Sequence, residues 1–272
     1  MFFAVPATLC LMLLLLFSSH VEAMAGGEVR GRGPRSAAMG GAGVALHGVE
    51  AVLGNPAMLV GSRTGAMLCW TPARFGMTEL ADAAAGGSVS FDRWTAAVDV
   101  RRFGYEKYAE HRAGIAVAVA PAQRVSVGAR MGVLHFGIEG YGSTSVFQLD
   151  LGAAIRFGEE FRLAAAAYAV NMPSFAEDER LPLRLAFGLA WEHDGLLLLL
   201  AMEKETRWDA DLRAGVEYIV LGPLRLRCGY ANLSRQWSAG FGLRQGAFEL
   251  GYAMMLHSEL GATHTVGLAM NL

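Results

Sequence analysis

From about residue 65 to the carboxy terminus, large apolar side chains alternate with polar, charged or glycine positions. Phe147, Leu149, Leu151, Ala153, Ile155 and Phe157 share one parity, while Gln148, Asp150, Gly152, Ala154 and Arg156 share the other. Leu183, Leu185, Phe187, Leu189 and Trp191 likewise stand against Arg184, Ala186, Gly188, Ala190 and Glu192. The pattern recurs with Leu212, Ala214, Val216 and Tyr218 against Asp211, Arg213, Gly215 and Glu217, and with Leu226, Cys228 and Tyr230 against Arg225, Arg227 and Gly229. Phe248, Leu250, Tyr252 and Met254 oppose Glu249, Gly251 and Ala253 in the same way. A repeat of two residues belongs to a β-strand with one apolar face.

Segment length decides what kind of sheet this is. The alternating segments run about nine to twelve residues, whereas globular strands cluster near five or six and a tilted strand needs roughly 9 to 11 to cross a bilayer. Many joints are short, as at Pro121-Ala122-Gln123, His193-Asp194-Gly195 and Gln245-Gly246. Short joints make antiparallel hairpins, and lipid offers no partner to an open sheet edge, so the meander must close. The expectation is an all-β protein, a transmembrane antiparallel β-barrel spanning 64–272. Its strands are expected near 65–72, 86–92, 94–103, 112–120, 124–136, 145–157, 161–170, 182–193, 196–205, 209–220, 223–231, 236–244, 246–256 and 263–272. These are about 14 strands, an even number as bacterial barrels require; the first three are the weakest, which keeps 12 open. The competing architecture is a large soluble sandwich, which would need a second sheet over every apolar face.

In a barrel the large apolar parity meets lipid and the other lines an enclosed lumen. Asp99, Arg101, Arg130, Gln148, Asp150, Arg156, Arg184, Glu192, Asp211, Arg213, Glu217, Arg225, Arg227, Arg244 and Glu249 would then face inward, where opposite charges on neighbouring strands can pair. Trp70, Trp94, Tyr105, Tyr108, Trp191, Trp208 and Trp237, near strand ends, suit interfacial girdles.

The amino-terminal residues read differently. Ala7 to Phe17 is an almost unbroken apolar run, followed by Ser18, Ser19, His20 and then Val21-Glu22-Ala23. It is too short to span a bilayer, and the small residues fit a cleavage site, so 1–23 reads as a secretory signal peptide cut after Ala23 or, as second choice, Ala25. A membrane anchor is the alternative, because no Lys or Arg precedes the run. Residues 24–63 are rich in glycine and alanine with no polar alternation, and they end in an Asn-Pro turn.

Composition sharpens the picture. The chain has 272 residues, 53% hydrophobic and 18% charged, with 34 glycines and a formal net charge of −2. It is too apolar for disorder and too nearly neutral for a nucleic-acid binder held by phosphate contacts. Beyond the signal there are two cysteines, Cys69 and Cys228, too few for a disulfide scaffold; whether they pair is open.

The segment Ser36-Ala-Ala-Met-Gly-Gly-Ala-Gly-Val-Ala45, followed by Asn55-Pro56-Ala57, resembles the amino-terminal hatch of the long-chain fatty-acid transporter (FadL-like) superfamily of outer-membrane barrels. With Asp150-Leu-Gly152, Arg213-Ala-Gly-Val-Glu-Tyr218, Leu226-Arg-Cys-Gly-Tyr230, Gly240-Phe-Gly-Leu-Arg244 and Leu260-Gly-Ala-Thr-His264, the short chain is similar to the PorV/PorQ-like branch, some members of which serve type IX secretion. The resemblance implies a fourteen-stranded barrel in the bacterial outer membrane, closed by a hatch that includes Ser36, Gly40, Gly41, Gly43, Asn55, Pro56 and Ala57. It further implies either uptake of small hydrophobic compounds or, in the secretion branch, docking of exported cargo for other secretion components. The partners expected are outer-membrane lipid and a hydrophobic ligand or those components, and no nucleic acid.

Motifs for chemistry are sparse. The histidines have no metal-ligand spacing, as His257 and His264 show, no G-x-S-x-G elbow is present, and the glycines around Gly40 are not framed as a nucleotide loop. No cofactor, no metal and no enzymatic activity are expected; a barrel hydrolase is the remote alternative. Glu177-Asp178-Glu179-Arg180 and the stretch from Tyr105 to Arg112 read as solvated loops.

Overall fold

The computed structural model describes residues 33–176 and 179–272. The expected signal, both cleavage positions, residues 24–32 of the hatch and the acidic pair Glu177-Asp178 lie outside the described residues. Fourteen antiparallel strands close into one barrel. In chain order they are β1 (Gly65–Thr71), β2 (Asp82–Ser90), β3 (Trp94–Gly104), β4 (Tyr108–Ala122), β5 (Val125–Ile138), β6 (Gly142–Phe157) and β7 (Phe161–Tyr168). A small separate hairpin of β8 (Ser174–Ala176) and β9 (Glu179–Arg180) follows. The circuit resumes with β10 (Arg184–His193), β11 (Leu196–Glu205), β12 (Asp211–Leu221), β13 (Leu224–Ala231), β14 (Gln236–Gln245), β15 (Phe248–His257) and β16 (Gly261–Asn271). The seam joins β1 to β16, from Gly65 opposite Asn271 to Trp70 opposite Val266.

A closed sheet excludes the soluble sandwich, and fourteen strands exclude twelve. The three weak early strands are present, and two starts lie earlier than the alternation places them: β2 at Asp82 and β4 at Tyr108. Ala83, Ala84 and Ala85 carry no contrast between parities, so periodicity could not register them.

The two ends of the barrel differ. At one end strands join through turns of two or three residues, such as 123–124, 158–160 and 246–247; at the other lie the long connections 72–81 and 169–183. Along every strand the large apolar parity is exposed on the outer wall, from Leu68, Val98 and Ile115 round to Leu200, Leu250 and Leu268. A continuous apolar wall of this kind suits hydrocarbon and not water. No helix among the described residues is long and apolar enough to cross a membrane, which says nothing of crossing by strands. Aromatic side chains collect at both rims: Phe91 stacked on Trp94 at 3.9 Å and Phe161 beside Trp191 at the short-turn end, and Tyr230 beside Trp237 toward the other. Tyr108 departs from the girdle, since it is only partly exposed and its hydroxyl donates to Glu110.

Residues 33–62 occupy the lumen as a short helix, Pro34–Ala38, and the 3-10 turns Gly43–Ala45, Val49–Leu53 and Pro56–Leu59. Met39, Val52 and Leu59 are fully buried and pack on alanines of the inner wall, among them Ala84, Ala116, Ala118 and Ala186. Small wall residues leave the room that larger plug residues fill. Each large one contributes on the order of 1.5–3 kcal/mol of transfer free energy. Cys69 is buried on the inner face and Cys228 is exposed on the outer one, both as free thiols.

Candidate functional site: the plugged lumen

Charged side chains in the lumen gather into three groups that hold the plug at different points. On β3, β5 and β6, Arg130 lies between Asp99 (Nε to Oδ1, 3.3 Å) and Asp150 (Nη1 to Oδ2, 3.4 Å). Its Nη2 donates to the carbonyls of Val52 and Gly54, the latter at 2.9 Å, at the end of the plug's second 3-10 turn. Asp150 also accepts Arg112 Nη2 (2.9 Å), Gln148 Nε2 (2.6 Å) and the amide of Ala169 (2.9 Å). Arg130 is 1% exposed, so its charge is held in place by these two carboxylates and three plug carbonyls, with Ala51 at 3.5 Å the third.

The second group faces the plug's helix. Arg35 grips Glu217 with both ends of its fork, Nη2 to Oε1 at 2.6 Å and Nε to Oε2 at 2.9 Å. Glu217 accepts Arg227 Nε (2.6 Å), and Arg227 pairs onward with Glu249. Inside the plug, Glu50 accepts the amides of Arg35 (3.0 Å) and Ser36 (3.1 Å), so one carboxylate fixes the helix start. Burial raises the Glu50 carboxyl above its ordinary value, with Arg227 and these two amides pulling it back.

The third group joins β10, β11 and β12. Arg213 pairs with Glu203 (2.9 Å) and Asp211 (2.8 Å), and Arg184 reaches Glu203 at 3.4 Å while lying over the Tyr168 ring at 4.4 Å. Arg213 Nη1 also touches the carbonyl of Gly41 at 3.5 Å. Arg101 pairs separately with Asp82 at 2.7 Å. The remaining inward-parity residues stand near the short-turn rim: Glu192 pairs with Arg162 at 3.2 Å, Arg156 is exposed, and Arg225 and Arg244 are half-buried.

The Asn55-Pro56-Ala57 turn is seated against two glycines paired across β5 and β6, Gly128 and Gly152. Asn55 is fully buried; its Nδ2 donates to Val44 O (3.1 Å) and to Ala165 O on the wall (3.2 Å), while its Oδ1 accepts the amide of Ala57 (3.0 Å). A Cβ on Gly128 would come within 2.7 Å of the Pro56–Ala57 backbone, and one on Gly152 would overlap the Asn55 Oδ1. At the other anchor, Gly40 turns in the left-handed region (φ 66°) so that its backbone lies on that of Tyr230. Gly41 also has positive φ and donates to Ser36 O, and Gly43 packs on the Ser36 hydroxyl. The sequence-derived hatch residues therefore sit together in the lumen, and the charged ones divide among the separate groups described.

Sequence reasoning missed the plug's own charges, Arg35 and Glu50, and the wall residues Arg112 and Glu203. It also missed an apolar patch on the lumen side. Leu134, Phe136 and Val146 point inward near the long-loop mouth and pack with Ala169 and Leu181, while Phe175 stacks on Phe136 at 4.9 Å. Parity already placed Leu134 and Phe136 with Arg130, so the signal lay in carrying that parity past the last charge. Beside this patch β7 ends at Tyr168 while β6 continues toward Gly142. Asn171 takes over the exposed edge, accepting the amide of Leu149 (2.9 Å) and donating to Phe147 O (2.7 Å). Below it, a cavity of about 50 Å³ between plug and wall is lined by Ser36, Leu46, Leu53, Tyr168, Arg184 and Glu203. That is room for a few waters and not for a hydrocarbon.

A barrel of fourteen strands, an amino-terminal plug inside it and an apolar mouth above can be matched against known structures. The monoaromatic hydrocarbon channel CymD superimposes with a TM-score of 0.68 at 13% identity, over 90% of this chain and 98% of that one. The Pseudomonas putida toluene transporter TodX gives 0.67 at 12% identity over 90% and 99%, and a Pseudomonas aeruginosa FadL homologue 0.66 at 11% over 91% and 100%. This chain has the FadL-type fold. No family model and no curated protein matches its sequence.

In this FadL-type barrel His47 forms a proton-sensitive clasp within the plug. The His47 Nε2 lies 3.1 Å from Val60 O and 3.4 Å from the Ser62 hydroxyl, tying the middle of the plug to its exit. Burial, then Arg162 on β7, holds the imidazole below its ordinary value; Arg35 adds to this, while the Val60 carbonyl and Glu192 on β10 oppose it. A depressed histidine favours the docked plug in its neutral form, so docking is strongest above about pH 6.5 and weakens as pH falls toward the lowered value. Conductance across planar bilayers should rise between pH 7.5 and pH 5, and His47→Gln should flatten the response; an unchanged pH profile in that variant would remove His47 as its source.

Proposed function

We propose that the protein is an outer-membrane conduit for small hydrophobic compounds. The observation that carries this reading is the apolar mouth, where Leu134, Phe136 and Val146 are roofed by Phe175 above the charged group around Arg130 and Asp150. A hydrophobic solute that displaces Phe175 gains apolar contact without uncovering an unpaired charge, which a wholly polar lumen would not offer. The similar structures named above are a monoaromatic hydrocarbon channel, a toluene transporter and a FadL homologue, which supports the same class of solute. The plug closes the path as it stands, so passage requires a local shift of the Asn55-Pro56-Ala57 turn or of the loop 169–183. Orientation follows from the two rims, with the short turns periplasmic and the longer loops outside. The role is binding and conduction without catalysis, and nothing in the fold favours docking of exported cargo over it.

The test is uptake of radiolabelled toluene by a bacterial host lacking hydrocarbon channels. Expression should accelerate uptake severalfold, and Phe136→Asp should abolish the gain while the barrel keeps its heat-modifiable migration. Uptake equal to that of the empty host would overturn the conduit.

A further inference from the structure

One stretch of the outer wall breaks the apolar rule. Strand register places Trp70, Ala83, Arg102, His111, His135 and Ser145 in a single row across β1 to β6. All lie on the outward parity: Arg102 and His111 are exposed, and His135 is partly so. Among the described residues no carboxylate pairs with Arg102, and none stands in the row. The His135 Nδ1 lies 2.9 Å from the Ser145 hydroxyl, which fixes that ring, and the two imidazoles are 6.5 Å apart.

Height decides what these groups meet. Arg102 is two residues from the end of β3 at Gly104, His111 three past the start of β4 at Tyr108, and His135 three before the end of β5 at Ile138. All three are therefore within about 10 Å of the long-loop rim. Arginine on a lipid-facing wall is costly at the midplane and far less so near the interface, and Trp70 in the same row marks an interfacial level. The row spans about 10 Å from Arg102 to His135, the width of three strands. Directly beneath it the wall is grooved: Ala85 and Ala113 form a low floor between Leu68, Val100 and Val133, in a groove of about 680 Å³ that reaches up to Arg102 and both histidines.

We propose that this groove is a binding site for a phosphate-bearing lipid of the outer leaflet, its headgroup phosphate held by Arg102, His111 and His135 and an acyl chain lying over Ala85 and Ala113. Guanidinium and imidazole N–H groups make charge-assisted bonds to phosphate oxygens, and the groove accepts the hydrocarbon that follows. The inference rests on the barrel's being in the outer membrane, but not on what it conducts.

The experiment titrates the purified full-length barrel in detergent with lipid A, followed by native mass spectrometry. One lipid should be retained, enzymatically dephosphorylated lipid A should bind about tenfold more weakly, and inorganic phosphate at millimolar concentration should not displace the lipid. The triple variant Arg102→Gln, His111→Gln, His135→Gln should lose about tenfold in retention while keeping heat-modifiable migration and wild-type toluene uptake. Equal retention by the triple variant, or of the dephosphorylated lipid, overturns the site. Full displacement by inorganic phosphate would overturn the lipid and leave a site for free phosphate. Because uptake is read in cells expressing the same variants, failure of the lipid site and failure of the conduit are separable.

Discussion

Replacing Arg130 by methionine should turn a closed barrel into a leaky one. Methionine fills much of the same space but leaves Asp99 and Asp150 facing each other without the cation between them, and it strips the carbonyls of Val52 and Gly54 of their donor. Breaking a buried ion pair by removing one partner typically costs about 3–5 kcal/mol. Arg112, already on Asp150 at 2.9 Å, offsets part of that. The loss falls on the plug, because the strand ladders on both sides of β5 do not pass through the side chain. Planar-bilayer recordings should show frequent opening steps where the parent is quiet, with heat-modifiable migration kept. Arg225→Met, at the rim, is the control. A quiet Arg130→Met barrel would show that this group does not hold the plug.

Alanine at both Gly128 and Gly152 should unseat the Asn55 turn. Neither new methyl has room: one meets the Pro56–Ala57 backbone at 2.7 Å and the other overlaps the Asn55 Oδ1. Backbone cannot yield as a flexible side chain would, so the turn must move inward. It then forfeits the bonds from Asn55 to Val44 and Ala165 and from Ala57 to Asn55. At about 1 kcal/mol each the loss is about 3 kcal/mol, or about a hundredfold in local opening. Hydrogen exchange at residues 55–59 reports this directly. Asn55→Ala removes the same bonds without crowding the wall, and should give a comparable loss of protection. Full protection in the double alanine variant would place the turn's stability elsewhere.

What the sequence made legible was whatever a period of two can carry. The outward and inward parities of β10, β12, β13 and β15 follow the alternation residue by residue, because one face meets apolar surroundings and the other meets plug or charge. The plug was legible as a glycine-rich segment but not as a machine, since its contacts depend on pairs such as Arg35 with Glu217, far apart in the chain. Opposite charges on separate strands suggested pairing, yet nothing in spacing says that Glu203 meets Arg213 and Arg184 together. The row on the outer wall was hidden for a different reason. Arg102, His111 and His135 sit on three strands, and their alignment is a property of register.

The plug's helix rests on the last strands of the chain: Pro34 lies against Gly251 of β15 and Gly267 of β16, and Ala38 against Gly240 of β14. Its seat is complete only when those strands have been added and β16 has found β1, a pairing of residues about 200 positions apart. Such distant closure is entropically the slowest kind of contact to form. The earliest-synthesised part of the lumen thus waits for the latest, and biogenesis of the wall and delivery of its stopper converge on one terminal event.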